Sequence, residues 1–206
     1  MKQYSNYIFD MDGTLLDTAT SILNSLYSAI IKSGFQINRS KITSGLIGYR
    51  IAEIIDILGL GQNDDKKAEI IANFRQIYDS SAADGITWYE YSYRFISNLK
   101  GNKQIFIATN KPSKATNLIV QKMNLDFVKD VFYPDKYNDR LIDKNTMVAD
   151  IISKYKLNPA ETVVIGDTDV DLNAARANKC DFGFAKHGYA VNAMLLAKQA
   201  DFIYGD

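Results

Sequence analysis

Asp10 and Asp12 stand two residues apart at the end of an apolar run, Tyr7-Ile8-Phe9, and Gly13 follows directly. The run has the aromatic and β-branched character of a strand covered on both faces. A strand that breaks into acids and a glycine presents those acids at the carboxyl edge of a sheet, where open α/β folds place their sites. Gly13 permits the turn behind them. Two carboxylates this close repel each other unless a cation lies between them or one keeps a proton. A solvated Asp-Gly turn would end there, but the run continues through Thr14-Leu15-Leu16-Asp17.

Two further apolar runs end in the same way. Ile105-Phe106-Ile107-Ala108 stops at Thr109-Asn110-Lys111-Pro112. Thr162-Val163-Val164-Ile165 stops at Gly166-Asp167-Thr168-Asp169-Val170-Asp171. Lys144 opens a helical pattern before that last strand. Asp10, Asp12, Asp167 and Asp171 at one sheet edge are costly without a cation. Such hard oxygen ligands suit Mg2+, which binds through a few carboxylates and a substrate phosphate. Helix capping would account for Asp167 or Asp171 alone, and Asp169 reads as a cap. Capping does not explain the partner acids at the first strand.

The elements that position these residues alternate. After the first strand, Ile22, Leu23, Leu26, Ile30 and Ile31 fall at helical spacing, with Thr18 as cap and Gly34 as stop. A second helix is expected over 40–46 and broken at Gly48, and a third carries Ile51, Ile54, Ile55 and Leu58. A fourth starts at Asn63 or Asp64 and carries Ala68, Ile71, Phe74, Ile77 and Tyr78. No strand is expected from 18 to 83, so this segment reads as a helical insertion that packs on itself. The aromatics Trp88 to Tyr93 read as hinge or core packing. Phe95, Ile96 and Leu99 lie on a short helix expected to end near Gly101. Helices starting at Ser113 and spanning 144–155 then alternate with strands at 131–133, 162–165, 182–184 and 202–204. That alternation predicts a doubly wound parallel sheet.

Composition bounds the rest. The chain has 206 residues, 47% hydrophobic and 23% charged, and its formal net charge is zero. The size allows a core plus a small second domain. The charge balance leaves no field to gather nucleic acid or an anionic membrane. Cys180 is the single cysteine. It fits a reducing compartment and reads as a small core residue. The N-terminus lacks an apolar signal region, and no apolar run reaches membrane-span length. The expected location is cytoplasmic, with oligomeric state open between monomer and weak dimer.

The run from Asp10 to Asp17 resembles the first motif, DxDGTLxD, of the haloacid dehalogenase-like hydrolase superfamily. Thr109 in Ala-Thr-Asn-Lys-Pro is similar to the second motif in its phosphoglycolate phosphatase-like form. Lys144 stands at the third, although Asn145 replaces the usual proline. Asp167 and Asp171 match the fourth, GDxxxD, and His187-Gly188-Tyr189 resembles the WGYG-like loop with histidine for tryptophan. Motif order covers nearly the whole chain. The resemblance implies a Rossmann-like core (1–16 and 84–206) with an inserted α-helical cap (17–83), hinged at Asp17 and around 83–85. It implies a phosphatase of a small phosphorylated metabolite, phosphoglycolate-like. Asp10 would be the nucleophile and Asp12 the acid/base. Mg2+ would be held by Asp10, Asp167 and the Asp12 carbonyl, with Asp171 either a direct ligand or the holder of a metal-bound water. Thr109, Asn110 and Lys144 would bind the phosphoryl group, with Lys111 as a substitute lysine. Tyr49 and Arg50 lie in a loop similar to the one that faces the site from the cap. Asp12 speaks against a dehalogenase. A phosphomutase or pyrophosphatase remains the alternative enzyme. A non-catalytic binding protein would need none of these residues. His187 reads as a loop residue.

Overall fold

The computed structural model of the protein describes residues 2–99 and 103–205; Gly101, where a helix was expected to end, lies outside them. Strand β1, Asn6–Phe9, is wholly buried. It is followed by a two-residue strand β2, Leu16–Asp17, and helix α1, Ala19–Lys32. Helices α2, Ile51–Ile57, and α3, Asp64–Ser81, come next. Strand β3, Thr87–Trp88, returns antiparallel to β2. The remaining chain runs α4 (Glu90–Leu99), β4 (Gln104–Ala108), α5 (Ser113–Lys122), β5 (Asp130–Phe132) and α6 (Lys144–Tyr155). It ends β6 (Thr162–Gly166), α7 (Asp169–Ala177), β7 (Asp181–Ala185), α8 (Ala193–Gln199) and β8 (Phe202–Tyr204).

Six strands form one sheet in the order β5-β4-β1-β6-β7-β8, all paired parallel. The apolar runs serve two cores at once, because successive side chains point to opposite faces. Tyr7, Phe9, Ile105, Ile107, Val163 and Ile165 join one cluster, while Ile8, Phe106, Ala108 and Val164 join the other. Cys180 is buried in the second cluster. Parallel strands covered by helices on both faces are the doubly wound architecture. Among the described residues no helix is long and apolar enough to cross a membrane.

Several local expectations change. The helix expected over 40–46 is two separate 3-10 turns, Arg39–Lys41 and Ser44–Leu46. Buried Ile42, Leu46 and Ile47 tie this segment down, not a continuous apolar stripe. Helix α4 begins at Glu90, so Tyr91 and Tyr93 belong to it. The short β2–β3 pair was not foreseen; two residues are too few to leave a pattern. On α3 the buried positions are Ile70, Phe74 and Tyr78, and Ala68 is exposed. Leu118 on α5 is also exposed. Helix α7 is capped at Thr168, and Asp169 is its first residue. Helix α5 begins at Ser113 as expected, with Pro112 before its first turn.

Candidate active site

The sheet brings the strand ends together. In register, Phe9 faces Ile107 on one side and Ile165 on the other. Asp10, Thr109 and Asp167 therefore leave three adjacent strands at one edge. Strand order runs away from β1 in both directions, so this edge is the topological switch point. The turn after β1 is closed by Gly13 N–H donating to the Leu16 carbonyl at 2.9 Å. Gly13 has φ +78, and a Cβ there would lie 2.4 Å from Asp167 Oδ2. Only glycine fits this close approach. Gly188 shields the same acid from the other side, with a Cβ that would fall 2.2 Å from Asp167 Cβ.

Asp10, Asp167 and Asp171 each present an oxygen to a common point, all within 4.8 Å of one another. All three are buried. Lys144, also buried, donates to Asp10 Oδ1 and to Asp171 Oδ1, each at 2.7 Å. Asp143 caps α6 by accepting from Thr146 N–H at 2.8 Å, which fixes the lysine's helix. The other oxygen of Asp171 accepts from the Thr168 amide at 3.1 Å and its hydroxyl at 2.7 Å. Asp171 thus serves both the helix start and the acid cluster. Asp167 accepts from Tyr189 N–H at 2.6 Å and from the Thr14 hydroxyl at 3.3 Å.

Electrostatics follow from burial. Loss of water, opposed by Lys144 and reinforced by Asp171 and Asp12, pushes the Asp10 carboxyl up to about 7. Burial, then Asp10 and Asp171, push Asp167 well above the carboxylate range. Burial opposes the charge on Lys144, but Asp10 and Asp171 outweigh it and hold the ammonium above its ordinary value. One buried ammonium cannot neutralise three buried carboxylates.

Asp12 lies apart from this trio. Its Oδ1 accepts from the Thr18 hydroxyl at 2.6 Å. Lys111 Nζ stands 3.2 Å from its Oδ2 and also donates to Tyr78 of α3. The expected cap role of Thr18 is therefore corrected: its hydroxyl makes no cap bond to the helix backbone. The first amides of α1 turn instead to the Tyr189 hydroxyl, from Thr18 at 2.8 Å and Ala19 at 3.1 Å. Burial opposes the Lys111 charge, yet Asp12 and Tyr78 hold it above its ordinary value.

Thr109 is fully buried, and its hydroxyl accepts from Lys111 N–H at 3.2 Å. The Asn110 side chain donates to the Gly48 carbonyl at 2.8 Å, joining the sheet edge to the loop before α2. Tyr49 and Arg50 are exposed on the lip of a cavity between α2, α3 and the sheet edge. The Arg50 amide donates to Glu53 at 2.8 Å. His187 sits with a ring nitrogen 3.0 Å from the Thr14 carbonyl, outside the acid cluster. Tyr78 and Tyr189 were not foreseen as site residues. Tyr78 carries an apolar helix position, and its polar role shows only through Lys111. Tyr189 could have been traced from its loop motif.

A carboxylate trio with a lysine wedged into it stands at the switch point of a doubly wound sheet, where α/β enzymes bind their ligands. The family model described as haloacid dehalogenase-like hydrolase matches residues 7–185, and the chain belongs to that family. It is 25% identical over 214 residues to a phosphoglycolate phosphatase of Vibrio vulnificus, covering 95% of this chain and 89% of the relative. It is 22% identical over 197 residues to a tyrosine-protein kinase of Mycobacterium bovis, covering 95% of this chain and 64% of that protein. Its fold matches a haloacid dehalogenase-like family hydrolase from Streptococcus pneumoniae at TM-score 0.86 and 20% identity, covering 98% of this chain and 94% of that one.

Proposed function

We propose that the chain is a magnesium-dependent phosphatase that hydrolyses a small phosphorylated metabolite through an aspartyl-phosphate on Asp10. The observation that carries the reading is the buried trio Asp10, Asp167 and Asp171 around Lys144. The donor set fits the ion. All donors are hard oxygens, and among the described residues Asp167 accepts hydrogen bonds from the Thr14 hydroxyl and the Tyr189 amide. Asp10, Asp167, Asp171 and the Asp12 carbonyl would hold it. When bound, Mg2+ supplies neutralisation of the acids and of a phosphoryl oxygen.

The chain's own residues perform the steps. Asp10 attacks phosphorus, and the ester P–O bond breaks as the new bond forms. Asp12, held by Thr18 and Lys111 on its two oxygens, protonates the departing oxygen. It then takes a proton from the water that attacks the phosphoryl-aspartate, releasing orthophosphate and restoring Asp10. Lys144 and Thr109 offset and orient the phosphoryl charge. Asn110 is engaged by Gly48, so its side chain acts on the cap, and the share it has in substrate binding falls to the main chain near it. Residues 17–83 act as a cap on a core of 1–16 and 84–206, and Tyr49 and Arg50 meet the far end of the substrate. The enzyme works in the cytoplasm, as a monomer or weak dimer.

The test is phosphate release across a metabolite panel, with and without Mg2+, in the wild type and in Asp10→Asn. The substitution keeps shape and removes the nucleophile. Turnover should fall by about three orders of magnitude or more, and chelator should abolish wild-type activity until Mg2+ is returned. Near-normal turnover in Asp10→Asn sinks the covalent route; indifference to chelator sinks the metal.

A further inference from the structure

The cavity beside the active site is larger and more apolar than a two-carbon phosphomonoester needs. It is open to solvent on one side and has a volume of about 470 Å3. An apolar cavity of about 150 Å3 already holds benzene, and sites for drug-sized ligands span about 300–1,000 Å3. Asp12 and Lys111 line it, and Leu26, Ile47, Ile54 and Phe74 give it an apolar wall. All four wall residues are buried. Sugar hydroxyls pressed against that wall would lose water without gaining partners, at about 1–3 kcal/mol each.

Two polar side chains on the same wall have capacity left over. Asp79 Oδ1 is buried and has no hydrogen-bond partner among the described residues, while its Oδ2 lies 3.9 Å from the exposed Lys114 ammonium. Arg75, one turn earlier on α3, also lines the cavity. Among the described residues Arg75 makes no hydrogen bond and no ion pair, even with Asp79 four residues on; its guanidinium carbon lies 5.9 Å from the centre of the Phe74 ring. Burial lowers the Arg75 pKa, opposed by Asp79 and Asp135. A buried acceptor and a half-buried donor left open side by side call for a ligand group that offers one of each.

We propose that the substrate's leaving group is a ring-sized, largely apolar alcohol bearing an amide-like donor and acceptor, read by Asp79 and Arg75. The proposal rests on the phosphatase reading and deepens it. Hydrolysis breaks the ester P–O bond. Water supplies the oxygen that ends in orthophosphate and the proton that ends on the alcohol, with no other reactant.

The test compares kcat/KM for acetyl phosphate, 2-phosphoglycolate, phenyl phosphate and 4-carbamoylphenyl phosphate on the wild-type chain with Mg2+. The carbamoylphenyl ester should exceed 2-phosphoglycolate by about tenfold or more. Asp79→Asn and Arg75→Met should each shrink its advantage over phenyl phosphate, a ratio that leaving-group reactivity cannot move between variants. Ala52→Phe, which fills the cavity, should lower the ratio of aryl to acetyl phosphate by about tenfold. Preference for 2-phosphoglycolate in the wild type overturns the proposal and leaves the phosphatase standing. Ratios unmoved by these substitutions also overturn it. No hydrolysis of any probe, acetyl phosphate included, overturns both.

Discussion

Asp10 is an acid that the fold keeps at a cost. Its carboxyl is buried beside Asp171 and Asp167, and burial is the largest cause of its raised pKa, about 7 against an ordinary 3.8. An acid whose folded pKa lies above its unfolded value keeps its proton longer in the folded state. Stability therefore falls as pH rises from about 4 to about 7, and the full cost is present above that window. Asp10→Asn imitates the protonated form at every pH. In metal-free protein this variant should melt higher than wild type at pH 8, and the gain should vanish near pH 4. About 1 kcal/mol corresponds to 2–4 °C in a domain of this size, so a thermal melt series across pH reads it directly. A gain that is flat with pH, or a loss at pH 8, would show that Lys144 fully compensates the buried charge. The same residue scale explains Gly13 and Gly188. Each leaves the space that Asp167 occupies, and a methyl group at either would displace a carboxylate.

At the scale of elements, the start of α1 is tied to the acid site through one tyrosine. Tyr189 donates its backbone N–H to Asp167 and gives its hydroxyl to Asp17 at 2.9 Å. The same hydroxyl accepts from Thr18 and Ala19, the amides that a capping side chain would ordinarily satisfy. Tyr189→Phe removes only that oxygen. It should cost about 1–2 kcal/mol in urea unfolding, and amide exchange should quicken first in the opening turn of α1. An unchanged urea midpoint would mean that water replaces the hydroxyl without loss. A second tie runs through Lys111, which meets Asp12 of the β1 turn and Tyr78 of α3 with one ammonium group. The Asn110–Gly48 bond is a third. The helices between β2 and β3 are thus joined to the sheet edge by these polar contacts in addition to the apolar cluster they share with one face of the sheet.

For the whole molecule, the acid cluster is a defect that a bound cation would repair. Its charges come from the ends of β1 and β6 and from the starts of α6 and α7. An ion there crosslinks both halves of the sheet. Mg2+ should therefore raise the melting temperature of the entire chain, not of one segment. Binding at a hundredfold excess over Kd contributes about 2.7 kcal/mol, or several degrees here. Thermal melts in chelator and in millimolar Mg2+ check this; coincident curves, in Mn2+ as well, would remove the ion from the site.

The amino-acid sequence by itself determined the six strands of the large sheet, the acids and their order. Apolar runs that stop at Asp10, Thr109 and Asp167 are local patterns, and right-handed parallel winding leaves few ways to assemble them. Lys144 at the start of α6 was legible for the same reason, since a helix start is a local signal. Tertiary structure alone decided which partners meet. Lys144 reaches Asp10 across 134 positions and Asp171 across 27, while Lys111 turns away to Asp12 and Tyr78. Nothing in residue spacing distinguishes those two lysines. Thr18 reads as a cap from its neighbours, and its hydroxyl goes to Asp12 because the β1 turn brings that carboxylate within reach. Tyr78 reads as an apolar helix position, and its hydroxyl finds a buried ammonium only once α3 lies over the sheet edge. Periodicity reports which face of an element is covered; it carries no information about the polar atom waiting on the other side.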